Sequence, residues 1–210
     1  MKNLPINRPG LLIMFSILLA NLLLSAAALA QTKYESLGGV KIVIEGTSNI
    51  HDWDMKSDKG FCSGIFDVSN SGAFTGMSYL NFSVPAESLK SEHKAMDKNS
   101  YKALNTGKYA QISFTASAGN IKPVGNDSYL LTAKGRLTIA GVTKEVVLTA
   151  NGTVNPDKSI TYSGSYKLKM TDYSVEPPSL MFGAIKTGDN IVVKFNLQLK
   201  SIQPTASTNK

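Results

Sequence analysis

Apolar and polar side chains alternate along the segment 190–200, and this period of two constrains the fold more than any other feature of the chain. The apolar members of the series are Ile191, Val193, Phe195, Leu197 and Leu199. Because successive side chains of a β-strand point to opposite faces, the pattern predicts a strand with one buried and one solvated face. Such a strand needs neighbours that share its buried face, so a sheet of several two-faced strands is expected.

The same alternation elsewhere predicts about nine strands in all, most of them two-faced. The others fall at 40–46, 50–56, 61–68, 77–84, 111–117, 129–139, 142–154 and 160–170. Ala140 and Gly141 fit a tight hairpin between two of the longest strands. Antiparallel strands of this kind bury their apolar faces as a sandwich or as a closed barrel, and closure removes exposed strand edges.

The inward positions of these strands define a candidate interior. On the alternation, the interior is lined by Leu80, Phe82, Ile112, Phe114, Leu137, Ile139, Tyr162, Tyr166, Phe195 and Leu197. The small residues Ala133, Gly135, Ala150 and Gly164 also fall at inward positions, where they are expected to leave room. A barrel of eight strands is either packed solid or wide enough for one small ligand, and periodicity does not choose between the two.

The segment 88–104 breaks the strand pattern. It contains the helix-favouring residues Ala, Lys, Leu, Met and Glu and lacks Gly and Pro, which predicts a helix of about two to four turns. Met96 and Leu104 belong to its apolar face, which is expected to lie against the rim of the β-domain. A row of lysines four residues apart is predicted on another face, formed by Lys90, Lys94, Lys98 and Lys102. Such a row is either an ordinary solvated face or a surface that meets an anionic headgroup or an anionic membrane.

The long connection 171–190 has only Pro177 and Pro178 to stiffen it. Connections of this length often form rims or covers over a pocket. Met181 and Phe182 are large apolar side chains that are unfavourable to expose, so they are expected to pack over a mouth of the fold or against a ligand. The alternative is a capping plug with no ligand.

The N-terminus has the three parts of a secretory signal. Lys2 and Arg8 precede the apolar run 11–24, and a small-residue triplet then ends at Ala30, which predicts cleavage after that residue. The run is shorter than the ~20 residues that span a bilayer, although 25–30 could extend it into an uncleaved anchor. The sequence thus predicts a periplasmic or secreted protein.

The sequence thus predicts three parts, which are a signal peptide at 1–30, a β-barrel domain at 31–200 and a disordered tail at 201–210.

The formal net charge of +7 is spread along the chain, without the basic clusters and stacking aromatics of a nucleic-acid binder. We therefore expect no nucleic-acid partner.

Few residues suggest catalysis or metal binding. His51 and Asp52 are adjacent in a predicted strand, where neighbouring side chains point to opposite faces, so they are not expected to form an acid–base pair. Trp53 shares a face with His51 and is expected to plug one end of the fold. One cysteine and two histidines cannot form a zinc cluster or an internal disulfide. We predict no catalytic residue, no metal site and no cofactor, and we interpret Cys62 as a small, half-buried side chain.

Several short motifs, in this order along the chain, resemble those of the YceI-like family. They are 46–53 (GTSNIHDW), Met96-Asp97 with 101–104, Lys108-Tyr109 with 112–114, 137–144 (LTIAGVTK), and 169–173 with Glu176-Pro177-Pro178 and 181–183. The resemblance runs from Val40 to Lys200. It implies an elongated antiparallel barrel, similar in architecture to the lipocalins, that binds polyisoprenoids or related long amphiphilic lipids, usually in the periplasm. It also implies that no catalytic residues are present.

Together these observations predict an all-β fold, an elongated lipocalin-like antiparallel barrel of about eight strands with one short helix. The expected function is non-enzymatic binding, transport or sequestration of a long apolar or amphiphilic lipid, with a lipid or isoprenoid ligand and a membrane surface as partners. The alternative is an exported structural or interaction barrel whose core is filled by its own side chains. An elongated internal cavity would favour the first, and a packed interior the second. The oligomeric state stays open, a dimer included.

Overall fold

A computed structural model describes residues 30–69, 72–180 and 183–202 of the chain. The predicted signal peptide before Ala30, the predicted tail beyond 202, and Met181 and Phe182 lie outside the described residues. The strands are β1 (Ala30–Ser36), β2 (Val40–Ser48), β3 (Asp52–Val68), β4 (Phe74–Pro85), β5 (Gln111–Ala116), β6 (Gly119–Gly125), β7 (Ser128–Ile139), β8 (Val142–Val154), β9 (Ile160–Lys169), β10 (Ser179–Leu180) and β11 (Ile185–Ser201). Helix α1 (Lys94–Leu104) and two 3-10 turns, Ala86–Ser88 and Met170–Tyr173, complete the described elements.

Eight of the strands close into one antiparallel barrel. Each pairs with the next in the order β2, β3, β4, β5, β7, β8, β9 and β11, and β11 pairs with β2 to close the ring. Closure leaves the ring without a free edge, which protects it from pairing with other chains. The prediction of a mostly β barrel with one short helix is therefore confirmed.

Strands β1 and β6 complete the ring at one end, where their neighbours stop. In β1, Tyr34 lies opposite both Gly64 of β3 and Ser201 of β11, so β1 takes the place of β2 at this end. Strand β6 pairs with β4 and β7 and takes the place of β5 in the same way. The alternation predicts neither strand, because β1 adjoins the predicted signal peptide and β6 contains Gly119 and Pro123, which weaken a strand pattern.

The strands predicted at 50–56 and 61–68 are a single strand, β3. Val40 of β2 pairs with Gly60, whereas Ile42 pairs with Ser57, so Lys41 on β2 faces two residues of β3. This is a β-bulge, which adds a residue to one strand without ending it. The break in the alternation at this point therefore marks a bulge, not a turn.

Helix α1 begins at Lys94, later than the sequence predicts. Lys90 is held in extended backbone by paired hydrogen bonds with Lys56, at 2.7 and 2.8 Å. The Asp97 carboxylate then accepts hydrogen bonds from the backbone nitrogen and the hydroxyl of Ser91, at 2.7 and 2.8 Å, which fixes the turn before the helix. The prediction that Lys90 belongs to the helical row is therefore wrong. No helix in the described part of the chain is long and apolar enough to cross a membrane.

Aromatic rings close the end of the barrel at which β1 and β6 complete the ring. They form a connected cluster with ring centroids 5.3 to 6.1 Å apart, made of Tyr34, Phe66, Phe74, Tyr129 and Tyr162. Most of these pairs meet edge to face, an arrangement that aromatic rings favour, and Tyr162 stacks on Phe66. We call this group the blind-end cluster.

Gly135 and Gly164 do not leave empty space, contrary to the expectation from sequence. A Cβ atom placed on Gly135 would lie 2.5 Å from the Phe114 ring, and one on Gly164 would lie 2.5 Å from the Phe195 ring. Both rings occupy the volume that a larger residue at these positions would fill. The glycines thus allow aromatic side chains of neighbouring strands to pack against the barrel wall.

Candidate functional site

An apolar cavity of about 410 Å³ occupies the interior of the barrel. All eight strands of the ring and helix α1 contribute residues to its lining. Its volume falls within the range of about 300–1,000 Å³ that small-molecule pockets span. The interior is therefore hollow and not filled by the protein's own side chains.

The cavity runs along the barrel from the blind-end cluster to the opposite end, which we call the mouth. On β9 it is lined from Tyr162 to Leu168, and Met170 and Tyr173 continue the lining beyond the strand. At about 3.3 Å per residue and a strand tilt of about 40°, the path from Tyr162 to Met170 covers roughly 20 Å of the barrel axis. The exposed lining residues that mark the mouth are Ile50, His51, His93 and Ala95.

The predicted interior residues within the described parts of the chain all line this one cavity. They are Leu80, Phe82, Ile112, Phe114, Leu137, Ile139, Tyr162, Tyr166, Phe195 and Leu197 from the barrel, with Met96 and Leu104 from α1. The small residues Ala133 and Ala150 also line it. Ligand binding by these side chains stays a prediction.

The sequence reasoning missed the contribution of β2 to the cavity. Val40, Ile42 and Ile44 all line it, and Val40 and Ile42 are buried. Their spacing of two is the same signal that identifies the other strands, but Val43 between them is also apolar, which hides the inward face.

Helix α1 lies at the mouth with its apolar side toward the cavity. That side includes Met96, Ala103 and Leu104, all of which line the cavity. The exposed side carries Lys94, Lys98 and Lys102. The helix therefore separates a basic outer surface from the apolar interior. Lys90 lies apart from this row, with its ammonium 4.8 Å from the centroid of the Tyr101 ring.

Side-chain hydrogen bonds fasten α1 to the segment before it. The Tyr101 hydroxyl lies 2.9 Å from the carbonyl oxygen of Glu87 and 2.8 Å from that of Leu89. The Thr106 hydroxyl donates to the Glu87 carboxylate at 2.7 Å. These contacts hold the position of the helix at the mouth.

The other side of the mouth is fastened by Asn49 in the β2–β3 turn. Its amide nitrogen donates to the carbonyl oxygen of Ala184 at 2.9 Å, and its amide oxygen accepts from the backbone nitrogen of Lys186 at 2.8 Å. Trp53 lines the cavity wall near this turn, and its ring nitrogen donates to the Thr47 carbonyl oxygen at 2.9 Å. The blind-end cluster, which the sequence does not predict, closes the far end.

His51 and Asp52 show no geometry for acid–base chemistry. The His51 Nδ1 lies 2.8 Å from the backbone carbonyl oxygen of Asp52, so the Asp52 carboxylate does not orient the ring. Within the described residues, no three His, Cys, Asp or Glu side chains come together as metal ligands would.

The described lining of the cavity contains no Asp, Glu, Lys or Arg side chain. Cys62 lines it and is 2% exposed, more deeply buried than the sequence predicts. Burial raises the pKa of the Cys62 thiol to about 12, so it is neutral at pH 7. The hydroxyls of Tyr162 and Tyr173 are buried without a hydrogen-bond partner among the described residues. The described lining thus holds no carboxylate, ammonium or guanidinium group, and its two histidines, His51 and His93, lie at the mouth.

Solved structures share this fold. The chain is similar to BcnA of Burkholderia cenocepacia, with a TM-score of 0.59 and 18% identity over 76% of this chain and 95% of that one. It is also similar to a polyisoprenoid binding domain from Saccharophagus degradans implicated in plant cell wall breakdown, with a TM-score of 0.60 and 14% identity over 83% of this chain and 100% of that one. At these identities the likeness shows the fold alone.

Sequence comparison identifies the family. No curated protein is similar enough in sequence to give a match. The profile of the YceI-like domain, however, matches residues 30–199, which covers helix α1 and all of the barrel ring except the last two residues of β11. This range also contains every motif on which the resemblance rests. The chain therefore belongs to the YceI-like family.

Proposed function

We propose that this protein binds, carries or sequesters a long apolar or amphiphilic lipid of the polyisoprenoid type, without catalysing a reaction. The observation that carries the proposal is the apolar cavity of about 410 Å³ that extends along the barrel. Membership of the YceI-like family supports it, as does the description of the similar Saccharophagus degradans structure as a polyisoprenoid binding domain. A barrel with a self-filled core, the alternative function, would have no such cavity.

Burial of hydrocarbon is sufficient to hold such a ligand. Each methylene group removed from water contributes about 0.8 kcal/mol, so ten of them contribute about 8 kcal/mol. Before the entropic cost of binding, that corresponds to a dissociation constant of about 1 μM. No polar contact is required for affinity, and the lining supplies none along most of its length. Selectivity then depends on the length of the cavity and on the groups at its ends.

The site of action that we propose is the periplasm. Basic residues before an apolar run, followed by a small-residue triplet that ends at Ala30, are the features of a cleaved secretory signal. In that compartment a lipid would have to cross water between membranes, and a hollow barrel shields an apolar chain from water during the transfer.

Mass spectrometry of protein exported by a Gram-negative host tests these proposals together. Under native conditions we expect a protein peak that carries a bound lipid, which organic extraction releases as a long-chain isoprenoid or related amphiphile. Under denaturing conditions we expect the mass of a polypeptide that starts at Gln31. A native mass without any adduct, from protein that also fails to bind long-chain probes after extraction, would contradict the carrier function. Recovery from membranes of a polypeptide whose mass corresponds to a chain that starts at Met1 would contradict cleavage.

We further propose that the exposed side of α1 contacts an anionic membrane surface when lipid is exchanged. Lys94, Lys98 and Lys102 stand on the solvent side of the helix, whose other side lines the cavity. A basic residue near an anionic membrane contributes about 1 kcal/mol, and salt screens this attraction within about a Debye length. The mouth would thus be held against the surface from which the lipid is taken.

Replacing Lys94, Lys98 and Lys102 by Gln is expected to weaken binding to phosphatidylglycerol vesicles roughly a hundredfold at low salt and much less at high salt. Vesicle co-sedimentation across a salt series measures both the affinity and its slope. The matched control replaces Lys122, Lys158 and Lys200, which are exposed near the blind end, by Gln. Equal losses of vesicle affinity in the two triple variants would show that the α1 lysines are ordinary solvated surface residues.

A further inference from the structure

The hollow part of the barrel is shorter than the barrel itself. On β3 the lining of the cavity ends at Cys62, and on β4 it begins at Leu80. The next buried side chains on these strands, Phe66 and Met77, are 0% and 2% exposed and do not line the cavity. Both strands continue beyond Phe66 and Met77. The barrel is therefore hollow toward the mouth and packed toward the blind end.

The blind-end cluster forms the floor of the cavity. Among its described rings only that of Tyr162 belongs to the lining, and Phe66 stacks behind it with centroids 6.1 Å apart. A Cβ atom placed on Gly64 would lie 2.8 Å from the Phe66 ring, so this ring covers the barrel wall at Gly64. Phe66 also meets Tyr34 and Phe74 edge to face, at centroid distances of 5.3 and 6.0 Å. Because protein interiors are close-packed, a ring with three aromatic partners cannot move aside for a ligand without disturbing all of them.

The hollow part has room for about 14 to 16 carbon atoms of a chain. Single bonds of about 1.5 Å that meet at about 111° advance an extended chain by about 1.25 Å per carbon, so a path of roughly 20 Å holds about 16 carbons. The cavity volume of about 410 Å³ gives a similar number. A group about the size of a water molecule, as a methylene is, takes about 30 Å³, so this volume holds about 14 of them.

From this geometry we infer that the blind-end cluster sets the length of chain that the protein accepts, so that its ligand buries about 14 to 16 carbons, or about three to four isoprene units. The inference rests on the proposed function, because it assumes that an apolar chain fills the cavity. It adds an upper limit, since the floor stops a longer chain and leaves the remainder at the mouth. Methylene groups that remain in water there contribute nothing to affinity.

The test measures how 1-alkanols of every length from 1-dodecanol to 1-docosanol distribute between the extracted protein and phosphatidylcholine vesicles. A bilayer and the cavity both remove methylene groups from water, so the distribution is expected to change little with length while the chain fits. Beyond the limit, each further methylene is expected to shift the distribution about fourfold toward the vesicles. We expect the break near 1-hexadecanol. A constant distribution through 1-docosanol, or a break outside the range from 1-tetradecanol to 1-octadecanol, would overturn the inference.

Phe66→Ala tests whether the blind-end cluster sets the limit. Loss of the ring opens space behind Tyr162, so the break is expected to move to chains at least about two carbons longer. Phe66→Leu removes fewer atoms and serves where Phe66→Ala does not fold, as circular dichroism verifies, and its break is expected to move in the same direction by at least about one carbon.

Phe195→Ala is the matched control. Phe195 lies on β11 between Val193 and Leu197, and all three line the cavity, so its ring belongs to the wall and not to the floor. The same loss of atoms there widens the cavity without lengthening it. The break is expected to stay at the chain length found for the parent.

Failure of this inference and failure of the proposed function give different results. If the parent shows the break but the folded Phe66 variants keep it at the same length, the role of the blind-end cluster is refuted while the carrier function stands. If the protein takes up no alkanol of any length from the vesicles, the carrier function itself fails.

Discussion

Phe114→Asp is expected to unfold the barrel or to lower its free energy of unfolding by more than about 3–5 kcal/mol. Phe114 is 2% exposed, and its ring fills the space over Gly135 on the neighbouring strand. Loss of a buried Phe side chain alone removes about 3–5 kcal/mol, and the new carboxylate would be desolvated beside a described lining that holds no cation. A domain has only about 5–15 kcal/mol of stability in total. Urea unfolding followed by circular dichroism measures the change.

Phe61→Asp is the matched control for this substitution. Phe61 lies on the outer face of β3 and is 43% exposed, so the same change of residue type is expected to alter stability by only about 1 kcal/mol or less. Comparable losses in the two variants would show that the inward face of β5 has been assigned wrongly.

The second large effect is expected from filling the cavity. Ala133 pairs with Leu148, and Ala150 pairs with Leu131, so the two alanines lie diagonally on neighbouring strands and both face the cavity. Replacing both by Phe places two rings in a space of about 410 Å³. We expect the affinity for 1-hexadecanol to fall at least about a hundredfold, because burial of several methylene groups is lost. Overpacking typically costs about 1–3 kcal/mol of stability, which leaves the barrel folded.

Displacement of the uncharged fluorophore N-phenyl-1-naphthylamine measures the affinity for 1-hexadecanol. Circular dichroism verifies that the doubly substituted barrel is folded. Val147→Phe serves as the control, because Val147 is on the outer face of β8 and 53% exposed. Its affinity for 1-hexadecanol is expected to equal that of the parent. Retained binding in a folded variant with Phe at both positions 133 and 150 would place the ligand outside the barrel.

The alternation of apolar and polar residues predicts which side chains face the barrel interior, because side-chain direction in a strand is a local property. Phe82, Phe114 and Phe195 come from three different strands, and each is placed correctly by its neighbours in sequence alone. The bulge at Asp58 and Lys59 shows the limit of this reasoning, since a bulge and a turn interrupt the alternation in the same way. Only the pairing of β3 with β2 distinguishes a bulge from a turn at this point.

The ends of the cavity were less predictable because they depend on contacts between distant parts of the chain. Tyr34 and Phe74 meet in the blind-end cluster only after β1 has paired with β3. The start of α1 is set by the pairing of Lys90 with Lys56, not by helix propensity within the segment. Tyr162 was placed in the interior by its spacing, but its unpaired hydroxyl became visible only with its surroundings.

The continuous hydrogen-bonded ring is expected to confine the exit of the proposed lipid to the mouth. A gap between two strands of a closed barrel requires several ladder hydrogen bonds to break together, whereas the mouth is bounded on one side by a short helix with a few side-chain anchors. Local opening of such a segment needs far less free energy than global unfolding. We therefore expect the dissociation rate of the proposed lipid to depend on the contacts of Tyr101 and Thr106. Mutation there is expected to change the residence time of that lipid while the melting temperature of the barrel stays the same.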